Sequence, residues 1–109
     1  MTVVVMWAVV TNGAGEIVVA LGASPDGDGL VSTFSAKGTE LVGLAKTGNG
    51  NGAITTFQPN GKTLVTLAAT DYGGAINVSN NDGATVLQIE VDDDGYGHVG
   101  TYHPEGEEL

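Results

Sequence analysis

Five glycines set the frame of this sequence. Gly15, Gly38, Gly61, Gly83 and Gly106 follow one another at intervals of 23, 23, 22 and 23 residues, and spacing of that kind marks an internal repeat. A chain built of such units folds as a row of small pieces that each lean on their neighbours, not around one central core. Aligning on these glycines brings other columns into register. Four residues before them stand Thr11, Phe34, Phe57, Ser79 and Tyr102, three after stand Val18, Leu41, Leu64, Val86 and Leu109, and six after stand Leu21, Leu44, Leu67 and Ile89. Two further glycine columns follow, Gly27, Gly50, Gly73 and Gly95, then Gly29, Gly52, Gly74 and Gly97. The chain divides into about five units, near 7–29, 30–52, 53–74, 75–97 and 98–109, within a single domain, and a leading strand at 2–5 is expected before the first.

Each unit reads as strand, turn, strand, turn. In the unit from Ala53 to Gly74, the run to Phe57 is β-branched and aromatic, Gln58 to Gly61 carries turn chemistry, Lys62 to Leu67 is a second run, and Asp71 to Gly74 returns the chain. Pro59 presets φ early in the turn, and Asn60 and Gly61 are residues that tolerate positive φ. No segment has helical periodicity over ten residues. The fold class expected is therefore all-β, a tandem array of β-hairpins.

Side chains alternate across a strand with period two. In the second strand of each unit this puts Val19, Leu21 and Ala23 on one face, then Val42, Leu44 and Lys46, then Val65, Leu67 and Ala69, then Leu87, Ile89 and Val91. One face is a continuous apolar stripe, and a single layer of hairpins leaves it in water at about 25 cal/mol per Å². A solenoid that encloses its own stripe, a small closed barrel, or several chains with stripes together would each cover it. The expected architecture is a β-prism or solenoid-like assembly completed between chains, with Val19, Leu21, Val42, Leu44, Val65, Leu67, Leu87 and Ile89 as its assembly core. The last unit stops at Leu109 where its second strand should begin. Val3, Val4 and Val5 of one copy are expected to complete it in another by strand addition, the alternative being that the two ends meet within one chain and close a ring.

The hairpin units from Gly52 to Leu67 with the following Asp71-to-Gly74 turn, and from Asn81 to Val99, resemble the tandem β-hairpin repeats of exported planctomycete-type proteins and of some phage fibre proteins. The resemblance covers about residues 7 to 109, and implies an extracellular or cell-surface structural role, as subunit of a fibre, filament or trimeric stalk.

Charge and composition narrow the functions that remain. The 109 residues carry Lys37, Lys46 and Lys62 as their only fixed cations against 13 Asp and Glu, a net charge of -10. Such a chain does not neutralise a run of phosphates, so nucleic acid is not an expected partner, nor is an anionic membrane surface. The apolar start, Met1 to Val10, is about half a membrane span and has no basic residue before Lys37, so neither membrane insertion nor a secretory leader is expected from it. With no cysteine, thiolate chemistry and disulfides are excluded.

Few residues suggest chemistry. Asp92, Asp93 and Asp94 form the densest charge cluster and are the candidate Ca²⁺ ligands, with Asp26, Asp28 and Asp71 in equivalent turns, although Asp also favours turns for its own reasons. Phe34, Phe57 and Tyr102 form a column that suits either cross-strand contact or glycan stacking, so a carbohydrate- or host-surface-binding module is the alternative function. Trp7 is expected to anchor a core or an interface. His98 and His103 are five apart and expected on opposite faces of one strand. Glu105, Glu107 and Glu108 read as a solvated run, Gly48 to Gly52 lacks the lysine and helix of a phosphate loop, and no serine has a triad around it. No enzyme activity and no cofactor beyond the candidate Ca²⁺ are expected; the expected partner is the chain itself.

Overall fold

The computed structural model describes residues 8–109, so Val3, Val4, Val5, Trp7 and the expected leading strand 2–5 lie outside the described residues. Nine strands follow in order: β1 (Ala8–Thr11), β2 (Ile17–Ala23), β3 (Gly29–Phe34), β4 (Glu40–Lys46), β5 (Gly52–Phe57), β6 (Thr63–Thr70), β7 (Gly73–Ser79), β8 (Thr85–Val91) and β9 (Gly97–Thr101). They form one antiparallel sheet in sequence order, open at both ends. The fold class is therefore all-β. Among the described residues β1 and β9 stand at opposite ends, so these nine strands do not close on themselves as a ring.

The connections explain why this sequence zigzags. Counting the turn that follows β9, eight of the nine are the same turn, opening at Asn12, Ser24, Ser35, Thr47, Gln58, Asn80, Asp92 and His103. In each, the N–H of the opening residue donates to the carbonyl four residues on, and the N–H of a glycine at the fourth position donates back. That glycine has φ between 85° and 102°, in the region where a Cβ is disfavoured. This is the three-residue hairpin loop that ends in a left-handed glycine. Asn60, for which positive φ was expected to be open, does not take it, since every described residue with positive φ is glycine. Its side chain instead accepts the Lys62 N–H at 2.9 Å.

The ninth connection, Thr70 to Gly73, is one residue shorter, with Thr70 and Gly73 paired directly. This accounts for the lone 22-residue interval among the glycine spacings.

At one end of the sheet the register slips by one residue at every hairpin, between Val10 and Thr11, Thr33 and Phe34, Thr56 and Phe57, and Val78 and Ser79. The extra residue falls on the second strand, at Val18, Leu41, Leu64 or Val86. Each slip is a β-bulge, which bends the strand and sharpens its twist.

No second layer covers the sheet among the described residues. Ala20 and Ala75 are the buried apolar residues, and no large side chain is fully buried. The molecule measures 47 × 29 × 20 Å with a radius of gyration of 16.4 Å, against about 13 Å for a compact domain of 100 residues.

Candidate assembly face

Strand pairing carries the alternating residues into rows that cross the whole sheet. Ala8, Leu21, Val31, Leu44, Ile54, Leu67, Ile76, Ile89 and Val99 are successive cross-strand partners. Every strand contributes one aliphatic side chain to this ladder. A second row on the same face runs Val10, Val19, Thr33, Val42, Thr56, Val65, Val78, Leu87 and Thr101. All eight residues expected from the sequence as the assembly core thus stand on one face, in two adjacent rows.

This face is wet. Leu21, Leu44, Ile54, Leu67 and Ile89 are 38 to 42% exposed, and Val99 is 64% exposed. Burying a Leu or Ile fully contributes about 1.5–3 kcal/mol, so the exposed remainder on these six residues leaves several kcal/mol, in order of magnitude, unrealised in the lone chain. On the other side of the ladder lies a row of mostly small residues, Ala23 paired with Gly29, Lys46 with Gly52, Ala69 with Gly74 and Val91 with Gly97, in which Lys46 and Val91 are the larger members. Ladder and small row together line a shallow trough across the sheet.

The reverse face is finished differently. Ser32, Gly43, Thr55, Thr66, Asn77, Gln88 and Gly100 cross it as one row, and its polar groups pair with one another. The Ser32 hydroxyl donates to Glu40 Oε2 at 2.7 Å and the Gln88 amide donates to Asn77 Oδ1 at 2.9 Å. Phe57 and the Glu40 carboxylate lie against Gly43, where a Cβ would meet Oε2 at 2.9 Å, and the Tyr102 hydroxyl lies over Gly100 in the same way, at 2.7 Å. Ala20 and Ala75, both buried, belong to this face.

Phe34, Phe57 and Tyr102 stand near the bulged end. Continuing the register beyond the last pairs places Val18 opposite Phe34 and Leu41 opposite Phe57, and Tyr102 N–H donates to the Val86 carbonyl at 2.9 Å. The aromatic column and the residues three after each turn glycine therefore interleave into one half-buried row. Sequence alignment alone kept these two columns apart, because it could not place the inserted residue.

The acidic cluster has a local role. The Oδ1 atom of Asp92 accepts Asp94 N–H at 3.0 Å and Tyr96 N–H at 2.8 Å, closing its turn as Asn80 closes the equivalent one. Carboxylate oxygens of Asp92, Asp93 and Asp94 come within 4.8 Å of one another, with Asp93 and Asp94 exposed. Asn supplies the same acceptor as Asp, so Asp92→Asn is expected to hold stability within about 0.5 kcal/mol, whereas Asp92→Ala loses about 1 kcal/mol with both bonds. Urea unfolding in the presence of a chelator measures both.

Two ion pairs lie near the margins. Lys46 Nζ is 2.8 Å from Asp28 Oδ2 across neighbouring strands, and the hydrogen bond to Asp28, then its charge, raises the lysine pKa above 10.5. The pair's contribution is complete below that value and fades as pH rises through the folded pKa; both groups are exposed, so it is small. His98 Nε2 is 3.6 Å from Glu108 Oε2. Leu109 N–H donates to Thr101, and Tyr102 bridges to Glu108, so the segment after the last turn covers part of the β9 edge. His98 lies in β9, while His103 stands beyond that strand and opens the last turn. Compared with known proteins, the chain matches no family model and no curated sequence.

Proposed function

We propose that the chain is a structural subunit of an extracellular fibre, filament or trimeric stalk, in which copies complete one another's apolar surface as a β-prism or solenoid-like array. The observation that carries this reading is the ladder from Leu21 to Val99, one aliphatic residue on each strand from β2 to β9 of a sheet that has no second layer among the described residues. A sheet of this size gains stable packing when its apolar face is covered, and a chain that presents the face so regularly suits a partner with the same strand spacing. Among the described residues β1 and β9 are the edge strands, the latter covered in part by the segment after the last turn, and these edges add a second route for strand contacts. The extracellular placement rests on the resemblance of the hairpin units to exported and fibre proteins. The role is mechanical: backbone ladders resist extension, and acidic turns keep the finished assembly soluble.

Charge gives the test. At -10 per copy, repulsion opposes association, and screening lengths fall from about 30 Å at 0.01 M salt to about 10 Å at 0.1 M. Light scattering is expected to rise severalfold faster at the higher salt, with filaments or discrete oligomers in negative stain. Monomers at every concentration, or assembly fastest without salt, would refute the reading.

A further inference from the structure

We propose that the apolar face docks on the same face of a second copy, so that the ladder of each chain seats in the trough beside the ladder of the other. This rests on the self-assembly reading above and names the surface that performs it.

Area and the placement of the charges away from this face admit a second copy as the occupant. The two larger extents of the molecule are 47 and 29 Å, an outline wide enough to hold the roughly 800 Å² per partner of a standard specific interface. The chain is strongly acidic, yet the acidic residues stand in turns or, as Glu40 and Glu90 do, on the reverse face. Among the described strands, Lys46 is the one charged residue of the apolar face, and Asp28 already holds it. Two copies therefore meet with the Lys46–Asp28 pair as the one charged feature on each face, and keep the other like charges in the turns and on the reverse faces. The reverse face lacks this character, because its polar row is paired internally and its buried alanines are already covered.

The surface is also self-complementary. A two-fold axis parallel to the ladder, midway between it and the small row, lays each ladder over the other copy's small row in one operation. Gly29, Gly52, Gly74 and Gly97 in that row have no requirement inside the chain, since none has positive φ and a Cβ on any of them would meet nothing within 4 Å. A strand glycine with no local role fits a place where another surface approaches closely.

Sedimentation velocity across nanomolar to micromolar concentrations tests the assignment. The wild type is expected to associate, and Gly52→Thr with Gly74→Thr is expected to weaken association at least a hundredfold. Threonine suits a strand better than glycine, so the dilute variant should keep its sheet circular dichroism and its melting midpoint. Leu44→Glu should weaken association by a similar factor, while Thr55→Glu on the reverse face should leave it unchanged. If the wild type associates and the glycine and Leu44 variants do so equally well, the face assignment is overturned and the self-assembly reading stands. A wild type monomeric throughout overturns both.

Discussion

Gly73→Ala is expected to lower the thermal midpoint by about 10–20 °C, corresponding to roughly 2–4 kcal/mol in a domain of this size. Gly73 closes the shortest connection of the sheet at φ 152°, and an added Cβ would stand 2.9 Å from Val91 Cγ2 and 3.1 Å from Val91 Cβ. Valine has two methyls on a stiff χ1 and cannot swing aside as a longer side chain could, so backbone strain and overlap act together. In a Val91→Ala background the overlap with Cγ2 disappears, while the close approach to Cβ and the strain remain. The cost of Gly73→Ala should then shrink by about half, a coupling that a double-mutant cycle reads directly. Equal costs in both backgrounds would show that the contact with Val91 is unimportant.

The melting midpoint of the wild type is expected to climb with protein concentration, by roughly 3 °C for each tenfold increase if two chains unfold together. Among the described residues the sheet has two buried alanines where a domain of this length normally has a core, and under the proposed assembly contacts between copies supply much of the stability. Differential scanning calorimetry over three decades of concentration should show a shift of about 10 °C. A midpoint independent of concentration would mean that the single layer stands by itself.

Much of this architecture was legible in the residues. Alternation of apolar and small side chains in β2, β4, β6 and β8 put Val19, Leu21 and their equivalents on one face, because strand periodicity leaves no other choice. Turn residues marked the hairpin ends: glycine at the fourth position has to take positive φ, and Asn12, Ser24, Ser35, Asn80 and Asp92 at the first cap their loops. The bulges were less visible. An inserted residue such as Leu41 or Leu64 sits where the pattern anticipates a large apolar group anyway, and a backbone slip demands no particular side chain. That the ladder is left uncovered was also beyond the pattern, since a stripe reads the same whether its own chain or another closes over it.

Every strand pairs with the strand before it and the strand after it in sequence, so the sheet has low contact order. Pairing can begin at any one hairpin and spread outward like a zipper, without first closing a long loop. The same locality makes width an adjustable property. Gain or loss of one 23-residue unit adds or removes two strands, about 9.5 Å of sheet, and leaves the hydrogen bonds of distant strands untouched. Length polymorphism within such an array is thus a change of span, not of fold.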